Sequence, residues 1–263
     1  MVIFSGLKAG NLDPMQLSVV VLQVSQLITS LLVFLFPALF AAYLMSHSSM
    51  SFLSIKTKVD MRILVIVLLM TLMLTPTVSL TGYFNAQMKL PESLAGIETW
   101  IKSTEEAANM LIERIVSENG VWAFILNIFV IAVAAGVTEE FMFRGALLKI
   151  MREKIKNHHV AIWVVAVIFS FIHFQFYGFL PRMLLGAFLG YLVYWTNNIW
   201  IPVSAHLFHN AVAFAGMSNA SLKDNAIFAE EVAPDDIKWL TITALVCLML
   251  FFYGASVVRK MGR

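Results

Sequence analysis

VWAFILNIFVIAVAAGVTEEFMFRGALLKIM, Val121 to Met151, is apolar except for Asn127, Thr138, the charges Glu139, Glu140 and Arg144, and Lys149 near its end. As a helix rising about 1.5 Å per residue it is roughly 46 Å long, more than the ~30 Å hydrocarbon thickness of a bilayer. A run of that length and character reads as a membrane-crossing helix that carries charge into the membrane. The rest of the chain agrees: 60% of its 263 residues are hydrophobic and 13% are charged, against about 25% charged in an ordinary soluble domain. Further apolar runs cover Ser18 to Leu44, Arg62 to Phe84, Val160 to Phe179, Arg182 to Trp195, Ile199 to Met217 and Trp239 to Val258. The expected fold is an all-α polytopic transmembrane helix bundle of about seven spans.

Working outward, the loops give the layout. With the N-terminus outside and the C-terminus inside, the inner loops collect Lys56, Lys58, Arg62, Lys149, Arg152, Lys154, Lys156, Arg259, Lys260 and Arg263, ten of the eighteen basic residues. The outer loops hold Glu92, Glu98, Glu105, Glu106, Glu113 and Glu118, then Asp224, Glu230, Glu231, Asp235 and Asp236. This is the positive-inside pattern, and Trp122, Trp163, Trp195, Trp200 and Trp239 fall at span ends, where indole rings favour the headgroup layer. The bilayer is therefore the first partner. A net charge of +2 gives no reason to expect nucleic acid. The lone cysteine, Cys247, lies in an apolar run and allows neither an intrachain disulfide nor a cysteine zinc cluster. The first run is longer than the core of a cleavable signal and is read as a span. With no targeting segment evident, a prokaryotic inner membrane is expected.

Between the second and third spans, Leu94, Ile97, Ile101, Ala108, Leu111 and Ile115 recur at helical steps after Pro91. They predict an amphipathic extramembrane helix that lies on the bilayer, caps the bundle or acts as a gate. The chain divides accordingly into an N-terminal membrane region (1–120), a core (121–217) and an outer loop with the C-terminal span (218–263).

Charge inside a span costs about 2.5–3.5 kcal/mol per residue even on lenient insertion scales, so it usually marks function. Glu140 and Arg144 are four apart with the acid first, the favourable order for an ion pair on one helix face. Glu139 points about 100° away and has no partner at helical spacing in its own span, which makes it the better general base. The fourth run brings His173, in Phe169-Ser170-Phe171-Ile172-His173, and the sixth brings His206 and Asn210, four apart on one face. Counted from the inner ends of their helices, Glu139 and His173 both lie roughly 20 Å deep, and His206 and Asn210 roughly 10–17 Å. The overlap of depth predicts one site. His209, one turn from His206, reads as packing or as support for it, and Gly186 and Gly190 as a small-residue pair that lets two helices approach closely.

The residue types narrow the chemistry. No Asp lies in any span, so a shared-proton aspartyl pair is absent, and there is no His-Glu-x-x-His zinc helix. Ser204 lies nearly opposite His206 on its helix, which argues against a serine nucleophile. What remains suits water activated by Glu139 and His173, with His206 and Asn210 donating to the oxyanion of a tetrahedral intermediate. The alternative is a divalent metal such as zinc, held by His173, His206 and Glu139.

Glu139-Glu140 with Arg144, Phe169 with His173, and His206 with Asn210 resemble, in order and spacing, the E-E-x-x-x-R, F-x-x-x-H and H-x-x-x-N motifs of the CAAX protease and bacteriocin-processing (CPBP, or ABI) intramembrane proteases. Gly186, Gly190, Thr196, Asn198 and Pro202 resemble the stretch leading into the third motif, so the likeness covers roughly Val121 to Gly216. It implies a glutamate-dependent membrane endopeptidase, described in the family as a metalloprotease, with Glu139, Glu140, Arg144, His173, His206 and Asn210 at its site. It also implies a membrane-associated protein or peptide substrate, prenylated in the CAAX case. The family includes scaffolds and bacteriocin self-immunity proteins, so a non-catalytic role is the alternative; a proton-coupled transporter lacks the expected pair of broken helices in matching halves.

Overall fold

The computed structural model describes residues 16–117, 120–219, 222, 225, 227 and 232–262. Of the loop charges assigned above, Glu118, Asp224, Glu230, Glu231 and Arg263 lie outside the described residues. Among those described, the chain is helical without strands, and every expected apolar run but the fourth is helical nearly throughout.

Helix α1 (Val19–Met45) starts at Ser18, whose side chain accepts from the Val21 N–H. A short α2 (Ser49–Phe52) follows. Helix α3 (Met61–Ala86) is capped by Asp60, which accepts from the Arg62 N–H. Helix α4 (Ala95–Val116) is the amphipathic one. The run quoted first is a single helix, α5 (Val121–Lys154), of 34 residues. Helices α6 (His158–Phe171), α7 (Phe179–Thr196), α8 (Trp200–Ser218) and α9 (Ile237–Met261) complete the bundle. By length and composition α1, α3, α5 and α9 can each cross a membrane.

The fourth expected span is where sequence and structure part. The apolar run predicts one helix over Val160 to Phe179, but α6 has only 14 residues and ends at Phe171, so it covers roughly 21 Å, less than a bilayer core. Residues 172–178 turn instead, with Phe174 at φ 50°, and α7 begins so that Pro181 falls in its first turn, where proline's missing N–H costs nothing. Irregular backbone at depth is tolerated only when protein satisfies it. Here Ser170 Oγ donates to Phe179 O at 2.7 Å. Asn85, at the end of α3, donates to Phe176 O at 3.0 Å and accepts from Leu180 N at 2.7 Å. Asn85→Ala should remove both bonds and leave buried backbone groups unpaired, costing about 1–3 kcal/mol. A lowered thermal midpoint in detergent and faster amide exchange at Leu180 would show it.

Helix α7 runs through the middle of the bundle, with Leu185, Leu189 and Leu192 packed among Val67, Met70 and Leu74 of α3 and Ile201 and Ala205 of α8. Its glycines face α6. A Cβ on Gly190 would meet Ile162 Cγ2 at 2.8 Å, and one on Gly186 would meet Phe169 Cδ1 at 3.1 Å and Ala166 Cα at 3.3 Å. The small-residue pair therefore sets the α6–α7 approach. Gly186→Val forces those helices apart at the level of the site, and about 1–3 kcal/mol of destabilisation is expected, measured as a drop in unfolding midpoint.

Helix α4 caps one end of the bundle. Of its expected apolar row, Ala108, Leu111 and Ile115 are buried, the latter two against Val19 and Leu22, while Leu94 and Ile97 stay exposed at 40% and 49%. Only the C-terminal half docks, because the start of α1 offers apolar surface there. A buried polar clamp holds it: Gln23 Nε2 donates to Asn127 Oδ1 at 2.7 Å, and Asn127 Nδ2 donates to Ile115 O at 2.8 Å. Basic residues gather at the opposite end, where Lys149 Nζ donates to Ser51 O and Lys56 Nζ to Thr196 O, both at 2.9 Å.

Candidate active site

The site is built on the middle of α5. Two wider, π-helical turns, Ile128–Ala134 and Phe141–Leu147, flank the stretch Ala135–Glu140. Such turns rotate the helix face and recur at functional sites. Between them, Gly136 lies against α8 so closely that a Cβ would be 3.1 Å from Leu207 N and 3.3 Å from Leu207 Cα. Backbone cannot yield as a side chain can, so Gly136 fixes how near the α5 carboxylates come to His206.

Glu140 and Arg144 form the ion pair their spacing predicts. Arg144 Nη1 donates to Glu140 Oε1 at 2.6 Å, and both side chains have zero exposure. Arg144 Nη2 also donates to Gly186 O at 2.9 Å, joining α5 to α7. The guanidinium lies 4.5 Å from the centroid of the Phe169 ring, a cation–π contact. Phe169 in turn packs edge-on against His173 and His206, with centroids at 5.1 and 5.9 Å. That ring is the hub on which the arginine and the two imidazoles are arranged.

His206 meets both acids. Its Nδ1 is 2.8 Å from Glu140 Oε1, and its Nε2 is 4.0 Å from Glu139 Oε2. A carboxylate accepts, so Nδ1 carries the hydrogen, and Nε2 is the nitrogen turned to Glu139. His173 is fixed the same way: its Nδ1 donates to Phe169 O at 2.7 Å, leaving Nε2 as an acceptor when the ring is neutral. His173 does not lie inside an apolar helix, as its sequence context suggested. It follows the end of α6, where the carbonyls of the last turn have lost their helical donors and the imidazole N–H takes one of them.

Glu139, His173, His206 and Asn210 line one cavity of about 260 Å³, closed on the α4 side by Ile112 and Val116. Glu140 and Arg144 stand behind its wall. Asn210 Nδ2 donates to Ile131 O at 3.1 Å, which uses one of its two N–H bonds and leaves the other. His209 also lines the cavity. As for a metal, the free Nε2 atoms of His173 and His206 suit one chemically, but among the described residues no three His, Cys, Asp or Glu side chains come together closely enough to hold an ion. The donor set does not fit as placed, and no step below is routed through a metal.

Three residues that the sequence reading passed over also belong here. Gln175 and Arg182 line the cavity, and Glu105 on α4 accepts from the Tyr177 N–H at 3.2 Å. Burial pushes the Glu105 carboxyl up, against the Tyr177 N–H and the charge of Arg182, which pull it down. Arg182 stood at a span end, where a snorkelling base is ordinary, and Gln175 and Glu105 looked like loop and surface polarity. The turn after α6 folds Gln175 and Arg182 inward and brings the Tyr177 N–H to Glu105.

Residues 121–212 match the family of type II CAAX prenyl endopeptidase Rce1-like proteins. The chain is also similar to the protein YpbD of Bacillus subtilis (strain 168), 28% identical over 90 residues, which is 33% of this chain and 43% of that protein. The chain thus spans less than half the length of this curated relative. No solved structure is significantly similar. The matched stretch contains Glu139, Glu140, Arg144, His173, His206 and Asn210 and runs from the start of α5 into α8. This chain is an integral membrane protein whose residues 121–212 are similar to the type II CAAX prenyl endopeptidase Rce1-like proteins.

Proposed function

We propose that the protein is an intramembrane endopeptidase of the CAAX-protease-like kind, cleaving a peptide bond in a membrane-associated protein or peptide, with prenylated chains as one substrate class. The observation that carries this reading is Glu139: a carboxylate only 6% exposed, with no hydrogen bond from the described residues, facing a cavity shared with two imidazoles. A packing network would have paired it, as it paired Glu140. The scaffold alternative accounts for Glu140 and Arg144 and leaves Glu139 unexplained.

In the mechanism, a water in the cavity gives one hydrogen to Glu139 and the other to Nε2 of His173, so its lone pair is free to attack the substrate carbonyl carbon. Glu139 takes the proton as the C–O bond forms. The developing oxyanion receives the second Nδ2–H of Asn210 and, when His206 is protonated on Nε2, that N–H as well. The Glu140 carboxylate on the opposite nitrogen balances this charge. Collapse of the intermediate breaks the C–N bond, and Glu139 returns its proton to the leaving nitrogen, so one water is consumed and both products leave neutralised at the break. The basic end of the bundle is taken to face the cytoplasm of a prokaryotic cell, with the N-terminus outside.

The test is cleavage of a panel of membrane-anchored peptides, prenylated and not, by the purified protein in liposomes, with and without a chelator. Cleavage that survives the chelator is the expected result. Loss on chelation, restored by a divalent ion, would transfer water activation to a metal at Glu139, His173 and His206, and no cleavage across the panel would favour the scaffold.

A further inference from the structure

The catalytic cavity contains one cation that the mechanism does not use. Arg182 stands in the first turn of α7, and its guanidinium is held against the turn that carries His173: Nη1 donates to Gln175 O at 3.3 Å and Nη2 to Gln175 Oε1 at 2.8 Å. It packs so tightly over Gly178 that a Cβ there would lie within van der Waals overlap of the guanidinium. The group is thus preorganised, with its long side chain already ordered. Both of its partners are neutral. It forms no ion pair with a carboxylate among the described residues, whereas Glu139 and Glu140 are each within 4.0 Å of His206.

Glu105 and Glu139 are the acidic groups whose charge reaches Arg182. Each offsets that charge from a distance, and neither forms an ion pair with the guanidinium among the described residues. Glu105 is committed to the Tyr177 N–H, and Glu139 is the base. A positive charge facing a small, largely apolar cavity is costly unless its intended partner arrives with the ligand. The guanidinium fork matches a carboxylate in shape and charge. Arg182 lines the same cavity as His173 and Glu139, which places the anion subsite beside the reacting centre.

We infer that Arg182 is a specificity-determining residue that binds a carboxylate of the peptide substrate, drawn from either its C-terminus or an Asp or Glu side chain. The inference rests on the protease reading for its substrate, and its binding arm stands apart from cleavage. A structural role, in which Arg182 merely ties Gln175 to α7, predicts instability on mutation but no change in preference between acidic and neutral ligands.

The experiment uses lipid-anchored peptides in three forms: a free C-terminal acid, the same sequence amidated, and the amidated sequence with one Glu near the terminus. Binding is measured to the Glu139→Gln variant and cleavage to the wild type, in the same liposomes. Binding of one acidic form about tenfold to a hundredfold tighter than the neutral form is expected, the range for a hydrogen bond to a charged group. The form that gains identifies terminus or side chain. In an Arg182→Gln background the ratio should fall toward one, and Arg182→Lys should recover part of it. Discrimination in binding without cleavage by the wild type would keep the carboxylate subsite and remove the protease. Cleavage with equal use of all three forms, or a ratio unchanged by Arg182→Gln, would overturn the subsite, as would a failure of every peptide to bind.

Discussion

Glu139→Gln is expected to lower the rate of peptide cleavage by about 10²–10⁴-fold, the range for removing a positioned general base, and to leave the unfolding midpoint close to that of the wild type. Both halves of this result come from the same geometry. Among the described residues Glu139 accepts no hydrogen bond, and His206 Nε2 is 4.0 Å from its Oε2. An amide of the same shape therefore breaks no bond on which the fold depends, and it relieves the burden of a carboxylate in a dry site. It cannot take a proton from water. Rates on a membrane-anchored peptide and thermal unfolding in detergent, made on one preparation, check the two halves together. Proteolysis retained at the wild-type rate would remove Glu139 as base, and a collapse of stability would show it to be part of the core.

Arg144→Met is expected to behave in the opposite way, destabilising the protein by about 3–5 kcal/mol, the cost of stranding one member of a buried ion pair. Among the described residues Glu140 would be left fully buried with only His206 as partner, and its Oε2 already has no hydrogen-bond partner there. The bond from Arg144 to Gly186 O, which ties α5 to α7, would be lost as well. Glu140→Met combined with Arg144→Met removes both charges and should recover much of the stability, because apolar pairs of similar volume replace buried ion pairs at little cost. Activity should not return in the double variant, since Nδ1 of His206 then has no carboxylate to orient it. Chemical unfolding of the single and double variants measures the coupling. A single variant as stable as the wild type would show that the pair is dispensable to the fold.

Glu139 and Glu140 are thus adjacent in sequence but separate in role, and the helix explains why. One residue's rotation of about 100° sends Glu140 toward Arg144 and the α7 backbone and Glu139 toward the cavity. This much was legible beforehand, because it follows from helical spacing alone. So were the apolar runs, the ion pair four residues apart and the gathering of Glu139, His173, His206 and Asn210. All of these depend on period, length and the cost of charge in hydrocarbon, which are local or solvent properties of the chain.

What the chain could not reveal by pattern is the turn at residues 172–178. An apolar run broken only by scattered residues such as Ser170, His173, Gln175 and Gly178 looks the same whether it continues as helix or bends, since its hydrophobicity reports only that water is excluded. The bend is decided by Asn85 and Ser170, which meet the freed backbone groups from elsewhere in the bundle. It carries His173 out of the helix and folds Gln175 and Arg182 into the cavity. The wide turns of α5 escaped notice for the same reason, with no proline or glycine pair to announce them. The sequence by itself determined that this is a membrane bundle with a costly polar site on three helices. Tertiary structure alone decided which further polar groups, Gln175 and Arg182, reach that site, because satisfying a buried donor or acceptor depends on partners 91 and 95 residues away in the chain, beyond the reach of any local periodicity.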